Sequence, residues 1–197
     1  MKLRESGMPE EEYWESLFNV ELILDRMEID RKMRDVAELG CGYGTFTLAV
    51  ARRISGVIET FDVEQAMVDR TVQRAQEAGL SNVRAEVRDV LAEGFPGEPQ
   101  TKDACLLFNI LHGEEPERLL AHAARVVHPG GYVPGGYVLV IHWRYDPATP
   151  RGPSMEIRPQ PEQIIGWVQG TEILRFVTPV LDLPPWHYGL RFVRTAA

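Results

Sequence analysis

The feature that most constrains the fold is a short apolar segment that runs directly into a glycine-rich loop. Residues 36–39 read Val-Ala-Glu-Leu, which is typical of a buried strand, and glycine then occupies alternate positions at Gly40, Gly42 and Gly44. A side chain there would fill space that a ligand needs or forbid the backbone angles of the turn. The segment therefore predicts a strand that leads into a loop lying very close to a small ligand.

Strand-like and helix-like segments alternate along the rest of the chain. A helix is predicted over residues 10–28, and helices follow most of the later strands. This alternation favours a parallel sheet covered on both faces. The predicted fold is a doubly wound α/β domain with a mostly parallel seven-stranded sheet, helices on both faces and an N-terminal helical cap. The predicted strands span residues 35–39, 57–61, 83–87, 104–109, 137–143, 173–177 and 188–193.

The charge and composition of the chain limit which ligands and which cellular compartment are expected. The formal net charge of −8 disfavours nucleic acid and anionic membranes, so a small-molecule substrate is expected. Neither a secretory signal nor an apolar run of about 18 residues, the length of a membrane span, is present in the sequence. Cys41 and Cys105 lie in apolar surroundings, which favours reduced thiols in the cytoplasm. The sequence leaves a homodimer open as the assembly.

Two ligands compete for a strand–glycine loop–helix unit: a dinucleotide and S-adenosylmethionine. The dinucleotide motif G-x-G-x-x-G requires a third glycine three residues after the second, but Thr45 stands three residues after Gly42. Glu38, at the end of the strand, would repel a pyrophosphate and suits a cationic amino-acid ligand. The loop therefore favours S-adenosylmethionine.

The segment E-L-G-C-G-Y-G at residues 38–44 resembles the first motif of the class I S-adenosylmethionine-dependent methyltransferases, (D/E)-x-G-x-G-x-G. The resemblance continues in register over roughly residues 35–145. Its last matching motif is a Pro-Gly-Gly turn at 129–131. It implies that Asp62 binds the ribose hydroxyls, Met67 packs on the adenine, and Asp89 accepts from the adenine amino group. The cofactor residues it implies are Glu38, Gly40, Gly42, Gly44, Asp62, Met67, Asp89, Val90 and Asn109.

The length of the chain and the lack of a dividing linker predict the domain organisation. The whole chain, 1–197, is expected to be one methyltransferase domain. Residues 1–30 form its helical cap, 35–145 its cofactor-binding core, and 146–197 a C-terminal loop, helix and last two strands. The departure from the family is a tandem repeat of Pro-Gly-Gly-Tyr-Val at 129–133 and 134–138, whose extra copy must loop out ahead of the fifth strand or form a bulge.

Residues that follow the fourth and fifth strands are the candidates for chemistry. Asn109 and His112 come after the fourth strand, where open α/β sheets bind ligands, and His112 is the candidate base or substrate partner. His142 and Trp143 end the fifth strand and are candidates to wall the acceptor pocket. Tyr13 and Trp14, on the first helix, are candidates to close over it. No Cys or His cluster with metal spacing is evident.

Structural roles are open for several of these residues. Asp62 and Asp89 each follow a strand and could cap a helix, and Met67 could be plain core. His142 could be a buried, hydrogen-bonded strand residue, and Trp14 could pack on the core. Two other functions are also open, an NAD(P)-dependent oxidoreductase and a non-catalytic protein that binds S-adenosylmethionine.

Overall fold

The structure is a computed structural model that describes residues 8–130, 136–169 and 172–196. Strands and helices alternate along the described residues from Val36 to Leu183, as the periodicity of the sequence predicts, and two consecutive strands close the chain. The helices are α1 (Glu11–Ser16), α2 (Val20–Arg26), α3 (Thr45–Arg53), α4 (Gln65–Glu77), α5 (Val90–Glu93), α6 (Pro116–Val126) and α7 (Pro161–Gln169). The strands are β1 (Val36–Leu39), β2 (Ile58–Asp62), β3 (Val83–Val87), β4 (Ala104–Phe108), β5 (Tyr137–Trp143), β6 (Leu174–Leu183) and β7 (His187–Arg194).

The strands form one sheet in the order β3-β2-β1-β4-β5-β7-β6. The pairs from β3 to β5 are parallel, and β7 runs antiparallel to both β5 and β6. The carboxyl ends of β1, β2 and β4 therefore meet at one edge, where an open sheet of this kind binds its ligand. The predicted fold class, a mostly parallel seven-stranded sheet, is confirmed.

Two apolar cores cover the two faces of the sheet. Neighbouring residues along a strand point to opposite faces, so Leu106 lies in one core and Leu107 in the other. One core joins the sheet to α5, α6 and α7, and the other joins it to α2 and α3. Because both faces are buried, the central strands read as continuous apolar runs rather than alternating ones.

The N-terminal segment differs from the prediction of one helix over residues 10–28. It forms two helices, α1 and α2, which are separated at Leu17–Asn19. The side chain of Asn19 accepts a hydrogen bond of 3.2 Å from the Leu22 N–H and so caps the second helix. Asparagine is one of the residues preferred at the N-cap of a helix. The spacing of apolar residues does not detect such a cap, so it predicted one continuous helix.

The C-terminal strands are longer than predicted. The sixth strand was expected over residues 173–177, but it extends to Leu183, past Pro179. Its register shifts between Val177 and Leu181, and it lies at the edge of the sheet. An edge strand with an irregular register tolerates a proline that a central strand would exclude.

The repeated Pro-Gly-Gly-Tyr-Val segment meets the sheet through its second copy. Strand β5 begins at Tyr137, and the N–H of Gly136 donates to the carbonyl of His128 at 2.8 Å. The prediction that the extra copy loops out or forms a bulge concerns residues 131–135, which lie outside the described residues. In the part of the chain that the structure describes, no helix is long and apolar enough to cross a membrane.

Candidate active site

The glycine loop after β1 has the conformation that its sequence predicts. Gly40, Gly42 and Gly44 have φ angles of +82°, +51° and +80°, a region that other residues rarely adopt. A methyl group at Gly40 would lie 2.7 Å from Ile110 Cδ1. One at Gly44 would lie 2.6 Å from Leu48 Cδ1. The glycines thus permit both the turn and the close packing of the loop.

Glu38, the third residue of β1, carries a buried carboxyl, with 2% of the residue's surface exposed. The hydroxyls of Thr47 and Thr60 donate to its Oε2 at 2.5 and 2.8 Å. Burial nevertheless raises the pKa of Glu38 to about 7. The carboxyl therefore lies beside the loop in a state that a nearby positive charge would ionise.

Asp62 ends β2 and joins that strand to the glycine loop. Its Oδ2 accepts from the Gly42 N–H at 3.1 Å, and its Oδ1 accepts from the Glu64 N–H at 3.1 Å. Only 6% of the residue is exposed, and this burial raises its pKa. The structure brings the carboxyl to the loop, as the resemblance implies for a group that binds a ribose.

The residues expected around an adenine line the next part of the edge. Asp89 is half-buried and caps α5, because its side chain accepts from the Ala92 N–H at 3.1 Å. Val90 is 1% exposed, and Met67 is half-buried on α4. Val63 is 41% exposed directly after Asp62, and sequence reasoning missed it. An apolar residue next to a carboxylate at a strand end was the available signal.

The turn after β4 connects the glycine loop to the neighbouring cleft. Asn109 has a φ of +58°, is 8% exposed, and donates its N–H to the Ile141 carbonyl at 2.8 Å. Its side-chain Oδ1 is buried and accepts no hydrogen bond from any described residue. The next residue, Ile110, packs against Gly40, and His112 lines the cleft. Four consecutive residues therefore span from the cofactor loop to the cleft.

His112 and His142 form a close pair. Nδ1 of His112 lies 3.3 Å from Nε2 of His142, which is completely buried in β5. Burial lowers the pKa of both imidazoles, and that of His142 falls well below its usual range. Both rings are therefore neutral near pH 7, and one nitrogen of the pair must donate to the other. Both histidines are candidates from the sequence, but no sequence pattern predicts that their rings are in contact.

The other aromatic candidates lie apart from this pair. Trp143 points to the opposite face of the sheet from His142, and it is 2% exposed. Trp14 packs beside it with a ring-centroid distance of 6.4 Å, as the core alternative for Trp14 predicts. Tyr13 is 44% exposed. The structure thus places His142 in the sheet behind His112, which lines the cleft, and Trp143 with Trp14 in the core on the other side.

The cleft has a volume of about 310 Å³ and lies between the turn after β4, the segment 155–160 and α7. His112 forms part of its wall, together with Tyr145, Arg158 and Trp167. Sequence reasoning missed the last three. They occur in a loop and a helix that only the packing of α7 and β7 brings to the turn, so no local pattern marks them.

The N-terminal helix α1 lies against the glycine loop. The hydroxyl of Tyr43 donates to the Pro9 carbonyl at 2.7 Å. Glu11 pairs with Arg70 at 2.7 Å and with Arg74 at 3.3 Å, and Arg74 also donates to the Tyr43 carbonyl. Ion pairs and one hydroxyl thus hold the helical cap over the loop.

Comparisons with known proteins agree with this geometry. The family model for a methyltransferase domain matches residues 36–131. A S-adenosylmethionine-dependent methyltransferase from Aquifex aeolicus has a TM-score of 0.79 at 20% identity, with 94% of each chain covered. The magnesium protoporphyrin IX methyltransferase from Synechocystis PCC 6803 with bound S-adenosylhomocysteine gives 0.66 at 14% identity, covering 98% of this chain and 91% of that one. No sequence among curated proteins matches the chain.

The fold is not restricted to methyl transfer. The [4+2]-cyclase SpnF has a TM-score of 0.73 at 18% identity, and 98% of this chain and 85% of that chain are covered. Identity at this level shows the fold alone. The matched family model shows a methyltransferase domain over residues 36–131, and the glycine loop, the acids of β1 and β2 and the acid after β3 all lie within that stretch.

Proposed function

We propose that this methyltransferase acts on a small molecule that binds in the cleft beside His112. The observation that carries the proposal is the turn after β4, which packs on the glycine loop at Ile110 and lines the cleft at His112. A methyl donor on one side of this turn and an acceptor on the other would be adjacent. Net charge also supports a small molecule, since a chain of −8 repels nucleic-acid phosphates.

The residues present suit S-adenosylmethionine. The loop of Gly40, Gly42 and Gly44 has backbone angles that glycine adopts readily and other residues rarely do, and Glu38 supplies a carboxyl for a cationic group. We assign the ribose hydroxyls to Asp62, whose two oxygens match two adjacent donors. The adenine is assigned to Met67, Val63, Asp89 and Val90. When bound, the cofactor supplies an activated methyl group and leaves as S-adenosylhomocysteine.

His112 and Asn109 are assigned to the transfer itself. Methyl transfer requires alignment of the nucleophile with the methyl carbon, and a base helps where the nucleophile must lose a proton. His112 is neutral near pH 7 and lines the cleft, so it can accept that proton. The buried Oδ1 of Asn109 is available to a donor on the cofactor or acceptor.

Titration calorimetry with S-adenosylmethionine and S-adenosylhomocysteine tests the assignment of the cofactor site. We expect saturable binding, and we expect Asp62→Ala to abolish it while the circular dichroism spectrum stays unchanged. Asp69→Ala, which removes an exposed carboxylate from α4, is the matched control. Unchanged affinity in Asp62→Ala would remove Asp62 from the site, and no binding of either compound at ~1 mM would reject the function.

The two alternative functions make different predictions. A nicotinamide-dependent oxidoreductase is disfavoured by the glycine spacing and by the matched family model. A thermal-shift comparison of S-adenosylmethionine with NAD(P) separates the two. A non-catalytic protein that binds S-adenosylmethionine would form no S-adenosylhomocysteine when incubated with cell extract, whereas a methyltransferase would.

The setting of the protein is also proposed. Both cysteines are free and buried, which supports a reducing compartment, the cytoplasm. A homodimer is supported by the edge strand β6, where Val180 is 38% exposed, because such edges pair readily. Light scattering after gel filtration tests it. We retain the division into a cap (1–30), a cofactor-binding core (35–145) and a C-terminal part (146–197) within one domain.

A further inference from the structure

The cleft beside His112 combines large apolar groups with uncharged polar ones. Tyr145, Met155 and Trp167 line it, and the glutamines Gln160 and Gln163 contribute amides. Aromatic and thioether side chains pack well against flat rings. The volume of about 310 Å³ is at the low end of the usual range for ligand pockets, about 300–1,000 Å³, and so suits one or two rings.

The positively charged side chain in the wall of the cleft, Arg158, is held by hydrogen bonds to its own loop. Arg158 is 6% exposed, and all three of its guanidinium nitrogens donate to the loop that precedes it. The acceptors are the carbonyls of Pro153, Arg144 and Asp146 and the hydroxyl of Thr149. A carboxylate ligand would need such a fork free for paired hydrogen bonds. Arg158 therefore provides positive potential but no clamp for an anion.

This positive potential also acts on cationic ligands. Burial is the main cause that lowers the pKa of His112, and the positive charge of Arg158 is the second cause. The imidazole is therefore an unprotonated base at neutral pH. The same charge repels an ammonium group and attracts negative charge that develops on an acceptor. Glu156 lines the cleft too, but its side chain is exposed, where water screens its charge.

We propose that the cleft takes an uncharged aromatic acceptor that carries a phenol-type hydroxyl. This inference rests on the proposed function. The acceptor oxygen forms the bond to the methyl carbon, the sulfur keeps the electron pair of the broken carbon–sulfur bond, and the hydroxyl proton passes to His112. A carboxylate would need no base, and an aliphatic hydroxyl is far less acidic than a phenol, whose pKa is about 10 as in tyrosine.

One of the two possible tautomer arrangements of the histidine pair gives His112 the free lone pair that this chemistry needs. When Nδ1–H of His112 donates to Nε2 of His142, 3.3 Å away, the lone pair of His112 is on Nε2. The imidazolium formed by the proton transfer keeps the same hydrogen bond. His142 is thus a positioning residue, since it acts through His112.

Three probes that share one ring system test the acceptor class: naphthol, naphthoic acid and naphthylmethylamine, substituted at the same ring carbon. We expect the enzyme with S-adenosylmethionine to form the methyl ether of naphthol, with kcat/KM at least a hundredfold above the other two. Preferential methylation of the acid or the amine would overturn the acceptor class and leave the methyltransferase function standing. Absence of both turnover and saturable naphthol binding to the S-adenosylhomocysteine complex would also overturn it.

A matched pair of variants places the acceptor in this cleft. Gly113→Leu adds bulk to the cleft wall, and its Cβ would meet the Ile110 carbonyl oxygen only at an ordinary 3.5 Å. Gly166→Leu adds the same bulk on the exposed side of α7, where nothing lies within 4 Å. We expect at least a tenfold loss of naphthol turnover in Gly113→Leu alone, with unchanged affinity for S-adenosylhomocysteine. Equal turnover in the two variants would overturn the placement.

Discussion

At the scale of single residues, we expect the buried carboxyl of Glu38 to couple the binding of a cation to the release of a proton. Burial is the main cause that raises its pKa to about 7, and the charge of Asp62 adds to it. Hydrogen bonds from Thr47 and Thr60 act the other way. The thiols of Cys41 and Cys105, whose pKa values burial raises, stay protonated beside it. A cationic ligand favours the ionised carboxyl, so binding below pH 7 requires Glu38 to lose its proton.

We expect the affinity for S-adenosylmethionine to rise about tenfold per pH unit below pH 7 and to level off above it, because one proton is lost on binding. Calorimetry near pH 6 in two buffers of different ionisation enthalpy should detect the release of about one proton. Glu38→Gln should bind more weakly and release none. An affinity that is constant from acid to neutral pH would contradict the coupling.

The histidine pair predicts a graded loss of activity. Replacement of His112 by Gln should lower kcat by roughly 10²–10⁴-fold, the usual contribution of a general base, and leave the KM for S-adenosylmethionine unchanged. His142→Leu should lower kcat by less than His112→Gln does. It should also shift the pH profile of kcat, because it removes the hydrogen-bond partner of His112 Nδ1. His128→Gln, at a half-exposed site, is the control. Wild-type kcat in His112→Gln would exclude it as the base.

The positions of the proposed cofactor residues were easier to predict from the sequence than those of the proposed acceptor residues. Glu38 and Asp62 lie at or near the ends of parallel strands, so their positions follow from the order of motifs alone. The pairing of His112 with His142 joins two strand ends 30 residues apart in the chain. Arg158 comes from a loop whose path depends on hydrogen bonds with its own carbonyls. Neither local periodicity nor spacing contains that information.

At the scale of elements, the glycine loop should tolerate substitution less than an ordinary helix end. Gly44 and Gly79 both have left-handed φ angles, of +80° and +67°. A Cβ at Gly44 would also lie 2.6 Å from Leu48 Cδ1, whereas nothing lies within 4 Å of one at Gly79. Gly79→Ala should therefore cost only the backbone strain, about 1–2 kcal/mol.

We expect Gly44→Ala to lose more unfolding free energy than Gly79→Ala, because it adds a steric overlap to the same strain. Urea denaturation of the two variants measures the difference, with the m-value as a check that both unfold alike. The affinity for S-adenosylhomocysteine should fall in Gly44→Ala and not in Gly79→Ala. Equal losses in stability would show that Leu48 relaxes freely.

The helical cap presents a second prediction at this scale. Helix α1 is held in place by Trp14, which packs beside Trp143, and by the ion pairs of Glu11 with α4. Ion pairs near the surface contribute only about 0–1 kcal/mol, so Glu11→Ala should change global stability little. We expect faster amide hydrogen exchange in residues 11–16 and faster release of S-adenosylhomocysteine. Glu77→Ala, at a glutamate that bonds Gln73 elsewhere on α4, is the control and should change neither rate.

The break between α1 and α2 shows what limited the prediction of elements. Both helices have apolar residues at helical spacing, so the periodicity continues across Asn19. What ends one helix and begins the next is a single capping hydrogen bond to the Leu22 N–H. The strands were easier because each central strand is buried on both faces and reads as an uninterrupted apolar run.

At the scale of the whole molecule, two buried histidines and the half-buried His112 make the fold sensitive to acid. His112, His142 and His187 lie at the carboxyl end of β5 and its neighbours, and burial lowers the pKa of each. For His187 the folded pKa is about 3, against 6.5 for an ordinary histidine. Between these values the unfolded chain binds a proton that the folded chain does not, so stability falls as pH falls.

Buried carboxyls act in the opposite direction. Glu38, with a folded pKa of about 7 against 4.5, keeps its proton longer in the folded state, so its contribution falls as pH rises through that window. The pH dependence of the wild type is the sum of these opposing effects. The stability difference between the wild type and a variant that lacks one histidine, but keeps every other titratable group, isolates the effect of that histidine.

His187→Phe provides that difference. The His187 ring stacks on Phe18 with a centroid distance of 4.7 Å and lies 4.2 Å from Trp143, so a phenyl ring keeps the aromatic packing. It also removes two buried nitrogens that have no hydrogen-bond partner among the described residues, which at pH 7 should leave stability unchanged or increased. Below about pH 6.5 the variant should gain about 1.4 kcal/mol over the wild type per pH unit. Urea unfolding at pH 7, 6 and 5 measures this gain, with His128→Phe, at a half-exposed site, as the control. A gain that does not grow as pH falls would show that His187 takes up its proton in the folded protein.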